Sequence, residues 1–502
     1  VFVSTGTSAT AVSPGGTNVL VLLDRRVPTS FYWSLTLLAT IGGFLFGYDT
    51  ANIGSALPFI PYPLSGFALG YLVAGASLGA AVGALAAGRL ADKLGRKSLL
   101  VVDAMIYALG ALLSAVTPNA TVLLIARTLI GLAIGADSAI ATGYIAEYAP
   151  RGRRGALSIL QQWMITVGIL AAFLVALVIL WALPHSARTL DWRLIFGMGA
   201  VPALVGVALR TQMPESPRWL LRHGRFEDAK RALGKLGFEV SIADIRFTAG
   251  QLLAADQRAE RQRRRIWSPG VKRALIVVCV FFIFQQISGI NVPLYYGPKL
   301  LGPLFQSGSS KVASTLAGVE VTALIAAVNV VATYFAFRWI DRLGRRKISM
   351  GGYAGMCVAA MLAASGLLAL HGTARIIAVM IALNAFVASF AIGVGGTGWL
   401  IQGESFPTVI RGQAAAIAAS VDWAANFALI EVFPTWEANI SLGWIMLCFA
   451  GISLIAIGFI YRFLPETKNR SVEEITQLFE RQAAGDRRAG MTSPRDADVA
   501  AA

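Results

Sequence analysis

Apolar runs the length of a membrane crossing, parted by short polar turns, fill most of this chain. A helix that crosses a ~30 Å hydrocarbon core needs about 20 apolar residues. By that measure spans are predicted at 32–57, 64–91, 98–117, 120–148, 155–183 and 192–211, then at 272–300, 312–340, 348–370, 375–405, 412–435 and 440–463. Residues 212–271 interrupt the series with a polar, strongly basic stretch. Apolar residues recur within it at helical spacing, as in Trp219, Leu220, Phe226 and Leu233, so short amphipathic helices are predicted along the membrane surface. The pattern implies an all-α membrane protein of twelve transmembrane helices. Residues 31–211 form a first six-helix bundle, 212–271 a helical linker and 272–463 a second bundle. Residues 1–30, and the tail 464–502 from about residue 480 onward, are small, polar or charged and are expected to be disordered.

The two halves also repeat each other. Asp92-Lys93-Leu94-Gly95-Arg96-Lys97 returns as Asp341-Arg342-Leu343-Gly344-Arg345-Arg346. Glu147 with Arg154-Gly155 returns as Glu404 with Arg411-Gly412, and Pro214-Glu215-Ser216-Pro217 as Pro465-Glu466-Thr467-Lys468. Three motif pairs in one order, each after an apolar run, mark two pseudo-symmetric halves. Such a duplication suits a transporter that exposes one central site to each side in turn.

Composition agrees: 56% of residues are hydrophobic and only 14% charged. The net charge of +16 first suggests an anionic partner such as nucleic acid. Its basic residues, however, cluster in alternate short turns, at Arg89, Lys93, Arg96 and Lys97, at Arg151, Arg153 and Arg154, and at Arg338, Arg342, Arg345, Arg346 and Lys347. The turns at 57–63, 117–120 and 435–440 carry none. That asymmetry predicts cytoplasmic termini and no nucleic-acid binding. No cleavable signal is expected, because the first residues lack a basic start and an apolar core. Cys279, Cys357 and Cys448 are scattered through apolar runs, and His185, His223 and His371 are isolated, so no disulfide, metal site or hydrolytic triad is expected.

Eight segments spread over residues 41–475 carry a resemblance: GGFLFGYDTANIG (42–54), GRLADKLGRK (88–97), YIAEYAPRGRRG (144–155), PESPRWL (214–220), FQQISGINVPLYY (284–296), DRLGRRK (341–347), GESFPTVIRGQ (403–413) and LPETKNRS (464–471). The D-x-x-G-R-[RK] motif marks only a superfamily, whereas PESPRWL with QQISGIN and PETK is much narrower. Together they resemble the sugar porter family of the major facilitator superfamily. The resemblance implies the major-facilitator fold, no catalytic residues, no cofactor beyond protons as coupling ion, and a monomer in a cell membrane. Short outer loops favour a bacterial cytoplasmic membrane. The implied activity is proton-coupled import of a hexose, pentose or related sugar. An amino-sugar, polyol or inositol symporter, a passive sugar facilitator and a proton-coupled drug exporter are the alternatives.

Several residues carry chemistry under that reading. Asp49 and Arg127 are charges inside spans 1 and 4, where each costs about 2.5–3.5 kcal/mol on insertion scales. They form either a static pair or a proton switch. A paired cation favours the carboxylate and dry burial the acid, so a change in pairing can take up or release a proton. The resemblance implies the switch. Gln162, Gln285, Gln286, Asn291, Asn329 and Asn426 are amides within spans, able both to donate to and accept from sugar hydroxyls. The resemblance assigns Gln285, Gln286 and Asn291 to sugar. Trp399 and Trp423 offer flat faces to a pyranose, Phe46 shares their wall, and Tyr295 is a lid residue beyond Gly289 and Pro293, which weaken span 7. Gly393, Gly395, Gly396 and Gly398 suggest a second soft point in span 10, with Gly396 where the family usually has Pro. Asp422 is a second departure, standing where many sugar porters have a neutral amide. It could sense protons, pair with a local cation or hold an amino sugar. Arg89, Asp92, Arg96, Glu147, Arg154, Glu215, Arg218, Asp341, Arg345, Glu404 and Arg411 lie at the cytoplasmic ends of spans. They are expected to form a charge network that bridges the halves in the outward-open state.

Overall fold

Where no water reaches, a backbone must satisfy its own amides, and this chain does so with helices. A computed structural model describes residues 18–20, 37–148, 154–183, 186–305, 310–407, 410–470 and 472–485, and no strand occurs among them. Spans 1 to 5 are Ile41–Ala56, Gly66–Leu94, Arg96–Val116, Ala120–Tyr148 and Arg154–Ala182. Span 6 is Thr189–Arg210. Span 7 comprises Pro269–Ile287 and Val292–Phe305, and spans 8 and 9 are Lys311–Leu343 and Arg345–Ala369. Span 10 is Gly372–Ser405, and spans 11 and 12 are Arg411–Asn439 and Leu442–Phe463. Eleven are long and apolar enough to cross a membrane, and Ile41–Ala56 is the described part of the twelfth.

Spans 2 and 8 run past their predicted ends at 91 and 340, to Leu94 and Leu343, because the charged last turn is helical although it is polar. Each ends on a glycine in the left-handed region, Gly95 (φ +93°) and Gly344 (φ +88°), and the next span starts at once. Carboxylates from distant chain satisfy the opening N–H groups of those next spans. Glu215 accepts from the Arg96 and Lys97 amides (2.9 and 3.1 Å). Glu466 accepts from the Arg345 and Arg346 amides (2.9 and 3.1 Å). A negative charge at a helix N-terminus also favours the dipole. The repeated Pro-Glu-Ser/Thr motif is therefore a repeated helix cap. A side chain on either glycine would strike its carboxylate, 2.3 Å from Glu215 and 2.6 Å from Glu466.

Span 7 breaks between Ile287 and Val292, as its Gly and Pro predict. Gly289 has φ +87°, and a Cβ there would lie 2.4 Å from the Phe449 ring. Behind the second half of this span lies a small apolar cavity of about 30 Å³ lined by Gly289, Pro293, Leu301, Leu383, Phe386 and Phe449. Span 10 relaxes through a π-helical turn, Ala391–Gly395, at the predicted glycines.

The linker folds as Pro217–Arg222, Phe226–Lys235 and Ile242–Ile266, the last being 25 residues, longer than predicted. Trp219, Leu220 and Leu233 are buried with Leu99, Leu100 and Tyr144 of spans 3 and 4. The Trp219 indole donates to the Asp92 carbonyl (2.9 Å). One segment expected to be loose is partly docked. Val19, buried, donates its amide to Thr248 (3.1 Å) on Ile242–Ile266, and apart from residues 18–20 the stretch 1–30 lies outside the described residues. In the tail, Val472–Ala483 is helical and Glu480 accepts from the Gly270 amide (2.9 Å) at the start of span 7. These helices and the basic turns share one end of the bundles, the linker end. The turns after spans 1, 3 and 11 share the far end.

Candidate functional site

Span 1 brings Asp49 opposite Arg127 of span 4. The guanidinium donates to Asp49 and to the carbonyls of Leu72 and Val73 in span 2 (3.2 and 3.3 Å), and both side chains are fully buried. The pair is neutral and shielded from solvent. Beside it, Tyr295 of span 7 turns its hydroxyl toward Thr50 and Ser77. Ser77 in turn donates to Asn426 of span 11 (2.8 Å), joining one half to the other.

Asn426 belongs to a connected set of polar side chains. Gln286 accepts from Asn426 and Asn291 (2.8 Å each) and donates to Asp422 (2.7 Å). The predicted sites Gln286, Asn291, Asp422 and Asn426 are thus one cluster. Among the described residues no cation pairs with Asp422. Gln285 points elsewhere. Its amide donates to the carbonyls of Val394 and Gly395 (3.2 and 2.9 Å), which the π-turn of span 10 leaves free. Its Oε1 and the Trp423 indole N–H are buried with no partner among the described residues, one acceptor and one donor.

Next to this cluster lies a narrow cavity of about 20 Å³, room for about one water, which a sugar would have to widen. Gly42, Gly43, Phe46, Ser138, Gln162 and the indoles of Trp399 and Trp423 line it, so both halves contribute. Phe46 meets Trp423 edge-on at 4.7 Å. These residues stand nearer the linker end of their spans. At the far end the halves touch instead: a Cβ on Gly54 would lie 2.8 Å from the Tyr295 carbonyl, and one on Gly70 would lie 2.3 Å from the Glu431 carbonyl. Tyr295 accordingly forms part of the far-end closure. Asn329 is apart from the cluster, its amide oxygen meeting Thr333 one turn along span 8 (3.4 Å).

Among the described contacts, the charge set at the linker end pairs within each half. Arg96 pairs with Asp92 (2.9 Å), and Arg345 with Asp341 (3.0 Å) and Glu404 (2.8 Å). Arg411 donates to the Phe406 carbonyl (3.2 Å), Arg89 is exposed on span 2, and Arg218 sits in Pro217–Arg222. These described contacts stay within one half. The side chains of Glu147 and Arg154 lie outside the described residues. The buried charges Asp103, Asp137, Asp191 and Arg210 escaped the sequence reading, as did Glu431 and the linking Ser77. Asp103, Asp137 and Glu431 interrupt apolar runs just as Asp49 does, and that was the available signal.

Two membrane bundles that share a polar cluster and an aromatic-walled cavity define a membrane transporter. Residues 35–479 match the family of sugar (and other) transporters, and the chain belongs to that family, among the sugar porters of the major facilitator superfamily. It is 36% identical over 451 residues to a glucose transporter of Staphylococcus epidermidis, spanning 89% of this chain and 97% of that protein. An arabinose-proton symporter of Bacillus subtilis is 31% identical over 476 residues, 92% and 99% of the two chains. The xylose transporter of E. coli in a partially occluded inward-open conformation superposes with a TM-score of 0.75 at 27% identity, covering 88% of this chain and 100% of that one.

Proposed function

We propose that this protein imports a monosaccharide with protons across the cytoplasmic membrane, as a monomer with both termini and the linker helices in the cytoplasm. The basic turns at the linker end support that orientation. With the far end closed and the cavity toward the linker end, the conformation is inward-facing. One observation carries the coupling: span 2, whose Leu72 and Val73 carbonyls hold Arg127 beside Asp49, also carries Ser77, which donates to Asn426 and so reaches Gln286 and Asp422. A sugar that rearranges the amides therefore acts on the groups around Asp49. The charge set at the linker end biases the same two-state exchange without touching substrate.

The test is uptake of labelled hexoses and pentoses into vesicles bearing the purified protein. A proton gradient worth ~100 mV supplies about 2.3 kcal/mol, hence about fifty-fold accumulation. Sugar added outside should also alkalinise the medium. Equal uptake with the gradient collapsed would mean passive facilitation, and dye extrusion without sugar entry would mean an exporter.

A second reading, a positively charged amino sugar, rests on Asp422, a buried acid whose described partner is the neutral Gln286. It predicts tighter binding of amino than neutral hexoses, with the preference lost in Asp422→Asn. Equal affinities in both proteins remove it.

A further inference from the structure

Arg210 ends span 6 with its side chain fully buried, between Asp103 of span 3 and Asp137 of span 4. Its guanidinium meets Asp103 Oδ1 at 2.8 Å and Asp137 Oδ2 at 2.5 Å. It also donates to the Leu100 carbonyl (2.7 Å) and, at 3.5 Å, to the Leu38 and Ala39 carbonyls that lead into span 1. The two acids are 2% and 4% exposed. Asp103 Oδ2 and Asp137 Oδ1 are buried with no partner among the described residues.

One positive charge thus faces two carboxyl groups. An unpaired carboxylate inside a bundle costs several kcal/mol, and carboxyls sharing a site are relieved by sharing a proton. The surroundings supply no second positive charge among the described residues. Span 1 presents the two carbonyls and Gly42, and its Asp49 is already matched by Arg127. Span 3 adds Tyr107, whose hydroxyl is committed to the Leu45 carbonyl (3.0 Å). Arg89 and Lys93 of span 2 face outward, exposed. A metal ion would need a shell of oxygens and would sit against the guanidinium, whereas a proton needs neither.

We infer that Asp103 and Asp137 hold one proton between them against Arg210, forming a proton site separate from the Asp49–Arg127 pair. The site stands directly behind the cavity wall. A Cβ on Gly42 would lie 1.8 Å from the Asp137 carboxyl carbon. Gly42 and Ser138, the residue after Asp137, both line the cavity. Loss of the proton adds a charge that competes for the Arg210 donors now holding Leu38 and Ala39, and so loosens the linker end of span 1. Proton occupancy thereby sets how firmly span 1 is clamped to spans 3, 4 and 6.

The experiment is infrared difference spectroscopy on the whole protein in lipid nanodiscs at pH 7, a readout independent of transport. Asparagine copies the shape and neutrality of a protonated aspartate, so Asp103→Asn and Asp137→Asn are expected to fold. Wild type minus either variant should show a protonated-carboxyl stretch that shifts in deuterium oxide. The stretch should persist in a protein carrying Asp49→Asn, Asp422→Asn and Glu431→Gln, which leaves the triad intact should a triad variant fail to fold. Its absence from both single-variant differences, or from that triple variant, overturns the assignment.

Discussion

An Asp49→Asn protein should exchange labelled for unlabelled sugar across a vesicle membrane yet accumulate none. Asparagine keeps the size of the aspartate and an oxygen for Arg127, which retains the Leu72 and Val73 carbonyls, so the site should stay assembled. What disappears is the ability to bind and release a proton where spans 1, 2 and 4 meet. The free-energy link between gradient and sugar is then cut, and the ratio falls from about fifty-fold to about one. Exchange needs only the loaded site to face each side in turn, with no net proton movement. Parallel measurements of accumulation and counterflow check this. Gradient-driven accumulation by the variant would place the coupling elsewhere, and loss of both would reduce Asp49 to a packing role.

The second large effect is expected from Gln286→Leu. The substitution conserves bulk but removes the acceptor of Asn291 and Asn426 and the donor to Asp422. Each buried polar group left unmatched costs about 1–3 kcal/mol. In the loaded site the leucine also leaves the sugar hydroxyls that Gln286 would meet without a donor and an acceptor, and the loss of those two bonds should lower sugar affinity about 100-fold or more, since 1.4 kcal/mol is one decade. Titration calorimetry on purified protein reads this directly. A dissociation constant within a few-fold of wild type would make Gln286 interhelical glue rather than a sugar contact.

The architecture was legible because it rests on length and period, which the bilayer imposes on every span alike. Even the soft points announced themselves, at Gly289 in span 7 and in the glycine-rich stretch before Trp399. Direction was harder. Gln285 and Gln286 are adjacent and chemically identical, yet one ties down carbonyls of span 10 while its neighbour gathers the central cluster. A helix turns about 100° per residue, and only the packing decides which amide faces inward. The charge motifs show the same gap. Repetition marked Glu215 and Glu466 as important, but their distance in sequence from Arg96 and Arg345 hid their service as helix caps. The buried triad was missed for a related reason: Asp103, Asp137 and Arg210 come from three spans, and nothing local pairs them.

The central cluster answers its own polar needs. With Gln286, Asn291, Asn426 and Asp422 already bonded to one another, an incoming guest gains little by merely fitting. It must give back every contact it displaces. A deoxy analogue, short of one hydroxyl, would strand an amide in the dark interior and be turned away far more sharply than its small change in size suggests. Fidelity, on this view, is enforced by the host's self-sufficiency as much as by any welcome it offers.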